Sequence, residues 1–196
     1  MIQLNLVTGC AGFIGFHLCL DLLKKNKKVF GIDSINSYYS TKLKKERIEI
    51  LKKNNNFKFF KTNLINYKKT EKIFKSNKFT SIFHLASQPG VMYSYINPKS
   101  YTDNNIKVTN NLAKLSKKYH IKKFIFTSSS SVYGDKKFFP ITENSKLNPK
   151  NYYARTKIEC EKILSKNFYE KNINSLIITR PFTVYGEYGR PDMLFI

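Results

Sequence analysis

A phenol and an ammonium stand four residues apart in Tyr153-Ala154-Arg155-Thr156-Lys157, so on a helix they share one face. An ammonium beside a phenol stabilises the phenolate, the form of tyrosine that accepts a proton, which makes Tyr153 a candidate general base. Tyr and Lys are frequent in this chain, so the pair alone is also compatible with chance. A second pattern lies near the start, where Gly9-Cys10-Ala11-Gly12-Phe13-Ile14-Gly15 has the spacing G-x-x-G-x-x-G. Missing side chains there permit a tight turn and a close approach of backbone amides to a pyrophosphate, although glycines between a strand and a helix also serve packing. Asp33 follows about 20 residues on, where a carboxylate accepts both hydroxyls of an adenosine ribose and repels a 2′-phosphate. The combination favours NAD over NADP, with the ordinary turn role of an Asp at a strand end as the alternative.

Other reactive side chains point less clearly to chemistry. Cys10 lies inside the glycine pattern, either activated by a helix N-terminus or present as a small residue that fits. His17, His84 and His120 lack metal-ligand spacing, so no metal is expected, and His84 reads as a packing residue.

To bring these residues together the chain must alternate strands and helices. Apolar runs predict strands at residues 4–8, 28–33, 57–62, 81–86, 123–127 and 175–179. Between them the pattern predicts helices at residues 13–23, 41–53, 68–75, 105–119 and 149–170, with a serine run at 128–131. Six strands joined by helices imply parallel β-α-β units and an α/β fold, a doubly wound parallel sheet that binds a dinucleotide.

Composition bounds the rest. At 196 residues, 41% hydrophobic and 15% aromatic, the chain has the size and core material of one globular domain, and no stretch reaches the roughly 20 apolar residues of a membrane span. Three cysteines without a C-x-x-C pair fit neither a disulfide framework nor a zinc knuckle, so a reducing cytoplasmic location is expected. No leader is visible after Met1. The formal charge is +22, yet only four of the 35 cations are arginine, and the lysines are dispersed as pairs such as Lys24-Lys25 and Lys117-Lys118. Codon bias explains this pattern better than a polyanion-binding surface does, and no specific nucleic-acid partner is expected.

The patterns above, with His84 to Val91 (HLASQPGV), Ser128 to Gly134 (SSSSVYG) and Arg180 to Met193 (RPFTVYGEYGRPDM), resemble the extended short-chain dehydrogenases/reductases. Within them the chain is most similar to the UDP-glucuronate 4-epimerases of capsule and lipopolysaccharide synthesis. The resemblance implies a Rossmann fold, NAD as cofactor and a UDP-sugar substrate oxidised at C4, held as a 4-keto intermediate and reduced again. It implies Tyr153, Lys157 and Ser129 as catalytic residues, Ser129 being the serine four positions before the Tyr of V-Y-G, with Ser130 as the neighbouring fallback. Cofactor contacts would come from Gly9, Gly12, Phe13, Ile14, Gly15, Asp33, Asn63, Leu64, Leu85, Ala86, Ser87, Asn105, Tyr153 and Lys157. Ser129, Ser130, Thr183 and Arg190 would meet the substrate. Related 4,6-dehydratases carry Asp-Glu just before V-Y-G, and decarboxylases a Glu, where this chain has Ser130 and Ser131.

Several positions depart from the family pattern: Asn63 stands for an Asp, Met92 for an Arg, Val108 for a Gly, and Pro181 for a different residue. The resemblance further implies that residues 1–180 form the NAD-binding domain and 181–196 begin a substrate-binding lobe that is largely missing. The chain alone would then be inactive, and full-length relatives would form homodimers. UDP-glucose 4-epimerases and related nucleotide-sugar reductases share these motifs. A reading from another class is a non-catalytic NAD-binding remnant.

Overall fold

The first strand, β1 (Leu4–Thr8), is flanked on both edges and covered on both faces. Leu6 enters one hydrophobic cluster and its neighbour Val7 the other, so the period-two alternation of a strand is apolar on both sides, as a central parallel strand requires. In the computed structural model, which describes residues 3–170 and 174–189, the other strands are β2 (Lys28–Asp33), β3 (Phe57–Lys61), β4 (Ser81–His84), β5 (Lys123–Thr127) and β6 (Ser175–Thr179). They form one six-stranded sheet in the order β3-β2-β1-β4-β5-β6, with every neighbouring pair parallel. This is the doubly wound order expected from the alternation, and its direction reverses between β1 and β4.

Helices α1 (Phe13–Lys24) and α2 (Thr41–Lys52) cover one face through Phe16, Cys19, Leu23, Ile48 and Leu51. The opposite face is packed by α3 (Tyr67–Ser76), α6 (Val108–Lys118) and α7 (Tyr152–Tyr169), which contribute Phe74, Leu112, Leu115, Cys160 and Leu164. Each such buried side chain contributes roughly 1.5–3 kcal/mol, so stability is concentrated along the sheet and the loops beyond its carboxyl edge are left to form a site. No described helix is long and apolar enough to cross a membrane.

Three differences from the expected elements have local causes. β4 ends at His84 rather than at residue 86, because the Thr8 hydroxyl accepts the Ala86 amide at 3.2 Å and draws the chain out of the ladder. α7 starts at Tyr152 rather than near Pro149, because the Asn151 side chain accepts the Ala154 amide at 2.8 Å and caps it. The helix expected over 105–119 is preceded by two short helices, α4 (Tyr93–Ile96) and α5 (Pro98–Tyr101), and by a π-helical turn (Thr102–Lys107). That wider turn seats Asn105, whose side chain accepts the Gln88 amide at 2.7 Å and donates to Thr156 Oγ1 at 2.9 Å.

Candidate active site

Beyond the carboxyl ends of β1 and β4 the glycine pattern makes a compact turn. Gly9 has φ +73°, and a Cβ there would lie 2.7 Å from the Ala86 nitrogen, so neither the conformation nor the space admits a side chain. The α1 backbone passes so close to this turn that a Cβ on Gly15 would lie 2.2 Å from the Gly9 carbonyl oxygen. Gly12 caps α1 without any side-chain acceptor, leaving the first amides of the helix for a ligand. Cys10 is fully buried, and burial followed by the charge of Asp33 pushes its thiol well above the usual range, so it packs and does not react.

Asp33 closes the β2 side. Its Oδ2 accepts the Ala11 amide at 3.1 Å and its Oδ1 the Ile35 amide at 2.8 Å, tying the end of β2 to the glycine turn. Burial raises its pKa, and the two amides and the Lys44 ammonium partly offset that rise. Lys44 donates to the Asn36 carbonyl and to Asn36 Oδ1, each at 2.7 Å, and lies over the Tyr39 ring. Each carboxylate oxygen of Asp33 keeps acceptor capacity for a diol.

On the β5 side, α7 presents Tyr153 and Lys157. Lys157 is buried; its Nζ donates to the Thr127 carbonyl at 2.8 Å, lies 5.0 Å from the Phe126 ring centroid and 5.9 Å from that of Tyr153. The Tyr153 ring meets Tyr101 edge-on at 6.1 Å. Ser129 accepts the Ser131 amide at 3.2 Å and donates to Ser131 Oγ at 3.1 Å, at the head of a 3-10 turn (Ser130–Tyr133). Beside it, the buried Ser128 Oγ has no hydrogen-bond partner. Beneath these groups His84 bridges Thr8 Oγ1 at 2.9 Å and Thr109 Oγ1 at 3.0 Å, and burial, with the Lys157 charge, lowers its pKa to about 3.

All three regions line one cleft of about 690 Å³. Gly9, Gly12, Phe13, Ile14, Gly15, Asp33, Asn63, Leu64, Leu85, Ala86, Ser87, Ser129, Ser130, Tyr153, Lys157 and Thr183 all border it. Asn105 does not: its amide is turned to Gln88 and Thr156, so it supports the wall from behind. Arg190 lies outside the described residues. Sequence reasoning missed Lys44, Tyr39 and Ser128 in the lining, although Ser128 belonged to the serine run it had noted. It also missed the ion pair of Arg180 with Glu161, at 3.0 Å from Nε to Oε1 and 2.7 Å from Nη2 to Oε2, which joins the end of β6 to α7. The uncapped helix start, the turn that admits no Cβ at Gly9 and the orphaned Ser128 hydroxyl fit a dinucleotide.

Sheet order and cleft together define a dinucleotide-binding α/β domain with a Tyr-Lys pair and a serine at one end. The model of the NAD dependent epimerase/dehydratase family matches residues 5–195, and the chain belongs to that family. It is 40% identical over 189 residues to a UDP-glucuronate 4-epimerase of Thermodesulfobacterium geofontis, covering 96% of this chain and 58% of the relative. Among solved structures it is similar to UDP-glucuronic acid 4-epimerase from Bacillus cereus in complex with UDP-glucuronic acid and NAD, with TM-score 0.89, 37% identity, and coverage of 97% of this chain and 60% of that one. UDP-glucose 4-epimerase from Thermotoga maritima with UDP-glucose gives TM-score 0.84 and 31% identity, over 94% of this chain and 57% of that one. The chain thus spans about 60% or less of the length of these relatives.

Proposed function

We propose that this chain is the cofactor-binding part of an NAD-dependent nucleotide-sugar 4-epimerase acting on UDP-glucuronate. The observation that carries the reading is the lining around Tyr153. Ser129, Ser130 and Ser131 border the cleft there, and among the described residues the only carboxylate in the lining is Asp33, on the β2 side. Elimination of water from a sugar needs an acid and a base near the leaving hydroxyl, whereas epimerisation at C4 needs one group that takes and returns one proton. A phenol with hydroxyl neighbours suits the second task. The ligands of the Bacillus cereus relative support both the sugar and the cofactor.

When bound, NAD supplies the hydride acceptor and donor for C4. The α1 amides above Gly12 would hold the pyrophosphate, and Asp33 the adenosine ribose, with Asn63 and Leu64 beside the adenine. Leu85, Ala86 and Ser87 would form the wall under the remainder of the cofactor. Tyr153 would take the proton of the C4 hydroxyl and give it back, while Ser129 hydrogen-bonds the same oxygen. Lys157, anchored by Thr127, would keep a positive charge beside Tyr153 and hold the nicotinamide ribose. Ser130 and Thr183, with Arg190, would border the sugar.

The test is a chimera joining this chain to the C-terminal part of the Thermodesulfobacterium geofontis relative that it does not match. It should convert UDP-glucuronate to UDP-galacturonate and lose about 10² to 10⁴ in rate on Tyr153→Phe while still binding NAD. A folded, NAD-binding chimera that ignores UDP-glucuronate but turns over another UDP-sugar would overturn the substrate. Undiminished turnover by the Phe variant would overturn the mechanism.

A further inference from the structure

Arg47, on α2, is a fully buried cation with no carboxylate partner among the described residues. Burying a guanidinium is costly unless its hydrogens are satisfied, so the acceptors it uses define its role. Nη1 donates to the Ala11 carbonyl, inside the glycine turn, and to Tyr39 Oη, both at 2.7 Å. Nη2 donates to the carbonyls of Tyr188 at 2.5 Å and Gly189 at 3.3 Å, while Nε has no partner. Ala11 is therefore fixed twice, its amide by Asp33 and its carbonyl by Arg47.

The same guanidinium holds the segment after β6. Residues 186–189 lie along α1: Gly186 approaches the Phe13 ring, His17 Nε2 contacts the Glu187 carbonyl at 2.8 Å, and the Tyr188 ring meets Phe16 edge-on at 5.3 Å. One rigid fork thus bridges the turn that would receive the pyrophosphate and a segment whose upstream neighbours, Phe182 and Thr183, line the same cleft.

We propose that Arg47 is a positioning residue that couples cofactor binding to the seating of residues 186–189. It rests on the reading that the cleft binds NAD. A cation behind the turn holds the Ala11 carbonyl away from the phosphates and adds positive potential on their far side. Seating of the segment and binding of NAD then favour each other, and by linkage each must change the other by the same factor. Lysine at this position would reach one set of carbonyls but not both, because it lacks the planar fork.

The experiment measures NAD affinity by calorimetry and hydrogen exchange of the amides at 186–189, with and without NAD, in the wild type, Arg47→Met, Arg47→Lys and Tyr188→Ala. In the wild type NAD should slow exchange of that segment. Arg47→Met should weaken NAD about 10- to 100-fold and abolish the slowing, with Arg47→Lys intermediate. Tyr188 is 44% exposed and does not line the cleft, so Tyr188→Ala should fold, yet still weaken NAD several-fold. Should Arg47→Met fail to fold, Tyr188→Ala decides: unchanged NAD affinity with unchanged exchange overturns the coupling. No NAD binding by folded wild type would overturn the functional reading and the coupling with it. Binding by the wild type and all variants alike overturns the coupling alone.

Discussion

Lys157 donates its ammonium to the carbonyl of Thr127 at 2.8 Å, not to the phenol of Tyr153 one helical turn before it. The strand end, rather than the tyrosine, fixes where the charge sits. A buried ammonium with one carbonyl partner is costly to hold, and an apolar side chain of similar length avoids that cost. Lys157→Met should therefore alter unfolding stability by no more than about 1 kcal/mol in urea titration, or raise it, while weakening NAD about tenfold. A large stability loss with unchanged NAD affinity would make Lys157 a structural residue.

Asp33 governs the choice of cofactor in this reading, since its half-buried carboxylate, bordering the cleft, would face the 2′ position of the adenosine ribose. Calorimetry should show NAD bound at least about tenfold more tightly than NADP, with Asp33→Asn removing most of that difference by removing the charge. The variant should also bind NAD more weakly, because Oδ2 holds the Ala11 amide and asparagine keeps one carbonyl acceptor. Tighter binding of NADP by the wild type would overturn this role, and Lys44 would be the residue to examine next.

The strands were legible in the sequence because a parallel sheet covered on both faces takes apolar residues on both sides of its central strands, as with Leu6 and Val7 of β1 and Ile82 and Phe83 of β4. Gly9, Asp33 and Tyr153 were legible because turn geometry, charge and helical spacing are written in residue types. The Thr127 carbonyl was not, since a backbone acceptor has no sequence signature. Arg47 carries no signal that sets it apart on a lysine-rich helix, and only the fold shows α2 turning it inward under the glycine turn. The π-helical turn at 102–107 has no periodicity of its own, and α4 and α5 before it, at four residues each, are too short to show one.

Glu161 stands one helical turn after Lys157 and is joined by both carboxylate oxygens to Arg180, whose Nη1 also reaches Tyr133 Oη at 3.2 Å and the Glu143 carbonyl at 3.1 Å. This pair sets the seating of α7 against β6. Replacing Glu161 by Gln leaves a largely buried guanidinium with only neutral acceptors, one amide oxygen in place of two carboxylate oxygens, and should cost about 1.5–3 kcal/mol of unfolding free energy. Arg180→Lys should lose a similar amount, because one ammonium cannot satisfy both oxygens. A double-mutant cycle in urea tests the pair: additive losses would mean that the two residues act independently.

His84 makes stability depend on pH in a direction fixed by its surroundings. Held between two threonine hydroxyls and beside the Lys157 charge, it stays neutral down to about 3 in the folded chain, against an ordinary value of 6.5. Between those values the unfolded chain binds the proton and the folded chain does not, so protonation favours unfolding. The contribution of His84 is therefore complete above about 6.5 and is lost progressively as pH falls toward 3. Asp33, whose pKa is raised by burial, acts in the opposite sense, stability falling as pH rises through its window, so the wild-type curve contains both. His84→Gln removes only the first, and its stability relative to wild type should improve steadily as pH is lowered from 7 to 4 in urea titrations. A difference between the two proteins that stays constant over that range would mean that His84 titrates alike in both states.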